Sequence, residues 1–239
     1  MSFDQLRYEL RLLGKPVFLT PPLVLVGFVL LLAIVNRGIS VVNIARSIGG
    51  VLEILLPMSV GVVVATVATH DRAIELQLTL PRKYHRTASA RFLFIVLWSG
   101  IVSLLTSLFL ALFNYWRMPG QIVNWNEPGK FLIWQLTWLS PMLWLMACAL
   151  VLSLFLRSRM ASGALICVLS LTEIIAHDTL NTTPLLQPFY LFLLTFSPGA
   201  DYWLVNRIEL LGMAAILLLL AWFLLRRPEL LLAHASGEE

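Results

Sequence analysis

Residues 131–156 read FLIWQLTWLSPMLWLMACALVLSLFL, a run of 26 positions without one charged side chain. A helix needs about 20 mostly apolar residues to cross a hydrocarbon core of about 30 Å, so this stretch alone is long enough to span a bilayer. The same ruler finds five more candidates, at Val17–Val35, Ile48–Thr69, Phe92–Asn114, Met160–Ala176 and Ile208–Leu225. Pro21 and Pro22 predict an irregular or kinked opening turn in the first of these. The fifth is short and ends in polar residues. Of the 239 residues, 59% are hydrophobic and 13% charged, whereas soluble domains carry about 25% charged residues. That balance excludes a soluble globular class. The chain reads as an all-α membrane protein: one transmembrane domain over residues 1–239, with about six transmembrane helices.

The formal net charge of +4 does not point to nucleic acid, because the basic residues form no compact domain and no aromatic-interleaved patch. They sit in short segments between apolar runs, where they encode topology and meet anionic headgroups. With the N-terminus inside, the cytoplasmic segments hold Arg7, Arg11, Lys15, Arg72, Arg82, Lys83, Arg86, Arg91, Arg157, Arg159, Arg226 and Arg227. The outer segments hold only Arg37, Arg46, Arg117, Lys130 and Arg207. Twelve against five predicts cytoplasmic N- and C-termini in a multi-pass protein of the cell inner or plasma membrane. No cleavable signal peptide is expected, since Val17–Val35 is too long for a signal core and lacks a small-residue cleavage site. Cys148 and Cys167 lie inside apolar runs without ligand spacing and read as packing residues.

Three connecting segments carry more detail. In residues 1–15, Ser2 and Gln5 fit a capping box, and Phe3, Leu6, Leu10 and Leu13 recur on one face opposite Asp4, Arg7 and Arg11. Too charged to span, this helix should lie in the cytoplasmic interface plane. Residues 70–91, HDRAIELQLTLPRKYHRTASAR, form the longest cytoplasmic loop. Ile74 and Leu78, and Leu76 and Leu80, are i, i+4 pairs in a short helix that begins near Asp71 and stops at Pro81. A solvated basic loop on the membrane surface is the alternative there. Residues 177–206 hold Pro184, Pro188, Pro198 and Gly199 around the apolar stretch Phe189–Phe196. Eight residues cannot cross a bilayer, so this stretch is expected to dip in from outside as a re-entrant or surface segment. Its ends would then need cover from other helices.

No GxxxxGK[ST], HExxH or GxSxG stretch exists, so the chain has no nucleotide-phosphate cradle of that kind and no such catalytic motif. The most suggestive constellation is Glu173, His177 and Asp178 at the outer end of the fifth candidate. Glu173 and His177 are i, i+4 and could hold a metal or relay a proton, but a hydrated helix end explains them without any function and is the better reading. Glu53, near the outer end of the second candidate, poses the same choice. Ser99, Ser103, Ser107 and Ala111 form a small-residue stripe at four-residue spacing that suits close helix packing. Trp116, Trp125, Trp134, Trp138 and Trp203 read mainly as interfacial anchors.

Taken together, the segment from Asp71, Arg72 and Glu75 through Leu78 and Leu80 to Pro81 and Arg82, running on to Arg91 and Phe92, resembles the permease subunits of ABC-2 type exporters with the type V transporter fold. Members carry a similar acidic–basic start, then Glu, then a leucine-rich stretch ending in "LP" and a basic residue before the third span. Ala73 and Ile74 stand where the family usually has a glycine. Phe196, Ser197 and Pro198 with Tyr202 resemble the pattern before the family's last span, and the N-terminal interfacial helix matches as well. The resemblance implies two permease copies, identical or related, around a central pathway, each docked to a separate ABC ATP-binding subunit. Asp71, Arg72, Glu75, Leu78, Pro81 and Arg82 would form the ATPase-coupling element, flanked by the helix of Phe3, Leu6, Leu10 and Leu13. The chain would bind no cofactor directly and would not itself be an enzyme, with ATP and Mg held by the partner. The alternatives are a polytopic membrane enzyme using Glu173, His177 and Asp178, or a membrane anchor whose basic loop recruits a cytoplasmic protein.

Overall fold

A computed structural model describes residues 3–35, 41–67, 84–113, 118–156 and 158–226. Ser2 and the whole of Asp71, Arg72, Glu75, Leu78, Pro81 and Arg82 lie outside the described residues, as do the side chains of Phe3, Leu6, Leu10 and Leu13. Every regular element among the described residues is helical.

Helix α1 spans Phe3–Val35 and joins the N-terminal amphipathic stretch directly to the first apolar run. The two parts meet at Gly14, whose φ of 73° and ψ of 171° are non-helical. That corner of backbone space is open essentially only to glycine, so Gly14 is the joint that lets the two parts take different directions. Helices α2 (Val41–Glu53) and α3 (Leu55–Val67) follow. They form one apolar rod, Ser47–Val67, because the Ile54 amide still reaches the Gly50 carbonyl at 2.9 Å and Met58 reaches Ile54 at 3.1 Å. The irregularity between them has a cause in Pro57, which has no N–H to donate to the Glu53 carbonyl four residues back.

Helix α4 covers Tyr84–Leu112, α5 Glu127–Trp134 and α6 Leu136–Leu156. Sequence periodicity starts the α5–α6 rod at Phe131, whereas the helix begins one turn earlier. Asn126 caps it by accepting from the Gly129 amide at 3.2 Å, and Pro128 sits in its first turn, where a missing N–H is harmless. Helix α7 (Arg159–Ile175) is capped by Ser158, which accepts from Ala161 at 3.3 Å. Then come α8 (His177–Thr182), a single 3-10 turn at Gln187–Phe189, α9 (Leu193–Phe196) and α10 (Trp203–Leu225).

Among the described residues, four helical rods are long and apolar enough to cross a membrane: Ser47–Val67, Thr87–Leu112, Glu127–Leu156 and Trp203–Leu225. The first and fifth candidates survive as shorter apolar helices, Val17–Leu32 and Met160–Ile175. Packing centres on α6, whose Met142, Leu145, Met146, Ala147 and Ala149 are wholly buried. Helix α3 packs on α6 and α7, and α10 packs chiefly on α6. Gly61 sets the approach of α3: a Cβ there would lie 3.2 Å from Ile166 Cγ2 and 3.5 Å from Leu145 Cβ. Helix α4 inverts the soluble pattern, burying Ser99, Ser103 and Ser107 while Leu93, Leu97, Ile101, Leu105 and Phe109 face outward. Its buried hydroxyls return to carbonyls of their own helix, as Ser103 does to Ser99 at 2.8 Å. Ser107 also donates to Gln135 Oε1 at 2.8 Å, where α5 meets α6. An apolar exterior over a small, self-satisfied polar interior suits a hydrocarbon surrounding.

Candidate functional site

The chain between α8 and α10 is broken into pieces too short to satisfy their own backbone, and its middle, residues 190–194, is nevertheless buried. Tyr190, Leu191, Phe192 and Leu193 are fully enclosed, and Leu194 nearly so. Buried N–H and C=O groups must find partners, and here side chains from three distant helices supply them. Residues 187–196 therefore act as a strap held across the helix ends.

Glu53, the last residue of α2, is the main fastening. Its Oε1 accepts from the Leu194 amide at 3.0 Å and from Arg207 Nη2. Its Oε2 accepts from the Thr195 amide at 2.7 Å and from the Thr195 hydroxyl. Four donors thus fill the roughly four lone-pair positions of one carboxylate. The two amides belong to the start of α9, so Glu53 caps that helix from more than 140 residues away in the chain. Arg207, in the first turns of α10, spends Nη1 on the Leu191 carbonyl at 2.6 Å, and its guanidinium carbon lies 5.8 Å from the centre of the Trp203 ring. Glu173 on α7 accepts from the Leu191 amide at 3.1 Å. Both backbone polar groups of Leu191 are therefore held by ionisable side chains, one acidic and one basic. Asn206 adds Nδ2 donation to the carbonyls of Gln187 at 2.7 Å and Tyr190 at 3.1 Å.

Weaker ties surround this centre. Gln121 Oε1 accepts from the Leu204 amide at 2.9 Å, and the Gly120 amide reaches the Pro198 carbonyl. Tyr202 donates its hydroxyl to Asn181 Oδ1 at 2.7 Å, and Gln187 Nε2 reaches the Asn181 carbonyl at 3.0 Å. Burial pushes the Tyr202 phenol above its usual range, which keeps it the neutral donor this bond needs.

The sequence-derived trio of Glu173, His177 and Asp178 divides. Helix α7 ends at Ile175 and Ala176 leaves helical geometry, so the i, i+4 face shared by Glu173 and His177 is interrupted. Glu173 turns inward to the strap. His177 stacks on Phe196 at 4.8 Å between ring centres and lies 3.2 Å from Asp178, whose side chain is 90% exposed. Among the described residues no three His, Cys, Asp or Glu side chains gather to hold a metal. Glu53 and Glu173 are not hydrated helix ends: each is enclosed, and each accepts backbone hydrogen bonds. Arg207, counted above with the outer connections, lies inside α10 and is fully buried. Neither Asn206 nor Arg207 stood out in the sequence. The available signal was one acid and one base, each at the edge of an apolar run and each requiring a partner in an apolar medium.

The arrangement is suited to holding backbone in place across three helices, with the acid–base pair consumed in that task. Comparison of the chain with family models, with curated proteins and with solved structures finds no match.

Proposed function

We propose that the chain is the membrane-spanning permease subunit of an ATP-driven ABC-2 type exporter. In this reading it crosses the inner or plasma membrane six times, with both termini cytoplasmic and with Val17–Leu32 and Met160–Ile175 completing the count. Two permeases, identical or related, enclose the pathway, and each docks a separate ABC ATP-binding subunit that holds ATP and Mg. The single observation that favours it most is the strap: the outer segment before the last helix is neither a free loop nor a span, but a broken, buried stretch tied to α2, α7 and α10. A re-entrant element needs that kind of cover and backbone satisfaction, and the resemblance leads one to expect such an element at this place. The joint at Gly14 adds support, because an in-plane helix must turn sharply to become a span. The enzyme alternative gains nothing from the geometry, since Glu173 is separated from His177 and Asp178.

Coupling requires contacts that differ between two states of the transporter, and Glu75, Leu78 and Arg82 are the residues assigned to them. The test is affinity purification of the tagged chain from mildly solubilised membranes, followed by an ATPase assay. A stoichiometric ATP-binding subunit that is lost on joint substitution Glu75→Ala and Leu78→Ala is the expected result. Failure to recover any ATP-binding partner in several mild detergents would refute the reading.

A further inference from the structure

We propose that the strap and the adjoining ends of α2, α7 and α10 form one permanently fastened body that stays closed through the working cycle, so that conformational change takes place elsewhere in the molecule. The inference rests on the transporter reading for the existence of a cycle, but the fastening itself stands on contacts alone. Four buried side chains, Glu53, Glu173, Asn206 and Arg207, reach the strap from three helices, and every one of them bonds to its backbone. Three of the four are ionisable. A shift of one helix end by the length of a hydrogen bond would strand a charge in an apolar interior, together with the amides or carbonyls it had served. A gate that opens on every cycle would be built from contacts cheap to break. These are the opposite.

Gly50 supplies the means of testing this, since a Cβ there would lie 3.7 Å from both Cγ2 and Oγ1 of Thr195, which makes sulfurs at the two positions neighbours that an oxidant can join. The chain carrying Gly50→Cys and Thr195→Cys, with Cys148→Ala and Cys167→Ala, would be purified with its ATP-binding partner. ATPase activity and its coupling would then be compared between oxidised and reduced forms. A fastened body predicts less than a twofold difference; a more than tenfold loss on oxidation, restored by reductant, overturns the proposal. Hydrogen exchange on the full chain in nanodiscs gives a second reading that needs no partner. Peptides covering residues 187–196 should exchange as slowly as those of α6. Exchange of that segment within seconds also overturns the proposal, whatever the ATPase result. Absence of any ATP-binding partner would remove the transporter reading, and exchange alone would then decide the fastening.

Discussion

Replacing Glu53 by alanine should be the most damaging single change in the molecule. The substitution removes a carboxylate that serves four donors and leaves the Arg207 guanidinium, itself fully buried, without its counter-ion. Removing one partner of a buried pair costs about 3–5 kcal/mol, and each stranded amide of Leu194 and Thr195 adds about 1–3 kcal/mol when it stays unsatisfied. These terms overlap, because the strap can loosen and admit water, so about 5 kcal/mol is the working figure. For a chain of this size that corresponds to a fall in Tm of about 10–20 °C. Arg207→Ala should cost less, since Glu53 keeps its three donors from Leu194 and Thr195. The exchange Glu53→Arg with Arg207→Glu should not rescue stability, because a guanidinium at position 53 cannot accept from those amides. Thermal unfolding in one detergent, followed by size-exclusion recovery, measures all of these. A Glu53→Ala protein melting within about 3 °C of the parent, or full rescue by the exchanged pair, would refute the reasoning, since about 1 kcal/mol is all such a shift allows.

Three further outcomes follow from other parts of the structure. Gly14→Ala should cost about 1–3 kcal/mol or straighten α1, because a Cβ does not tolerate that backbone conformation; Tm and the distance from residue 5 to residue 30 by spin labelling would register either change. Gly61→Leu should prevent close packing of α3 on α6 and α7, with Gly61→Ala costing about 1–3 kcal/mol through contact with Ile166; the yield of monodisperse protein gives the reading. Asp178→Ala should leave Tm and partner recovery within error, its side chain being 90% exposed, and His177→Ala should leave partner recovery within error while losing only its stack on Phe196; a loss of partner recovery in either would return those residues to the functional site.

Much of the helical layout was legible because crossing a bilayer demands long apolar runs. The reading at Phe92–Asn114 and Ile48–Thr69 lies within a few residues of the rods at Thr87–Leu112 and Ser47–Val67. The last helix begins at Trp203, five residues before Ile208, because Asn206 and Arg207 look like loop residues when hydropathy alone is weighed. Both are helical, and Asn206 Nδ2 and Arg207 Nη1 find carbonyl partners in the strap. The strap itself was legible as an apolar stretch between prolines, but its fastening was not. Glu53 and Arg207 are 154 positions apart, and neither belongs to a local motif that periodicity could detect. Glu173 was picked out for its spacing to His177, a spacing that Ala176 cancels by ending the helix. A single sequence reports which residues are costly to bury; which of them meet is decided by tertiary packing.

The separation of Glu53 from Arg207 also bears on how the protein comes into being. At about 5–20 residues per second, the ribosome adds Arg207 about 8–30 s after Glu53. For most of that interval α2 carries a carboxylate with neither its amide donors nor its counter-charge, since Leu194 and Thr195 are added only shortly before Arg207. The hydroxyls of α4 need no such wait, since Ser103 and its neighbours bond to carbonyls within their own helix as soon as it forms. The early helices therefore form with this ion pair incomplete, and arrival of the final helix completes it. A chain truncated before α10 would keep the Leu194 and Thr195 donors but leave Glu53 without the Arg207 guanidinium.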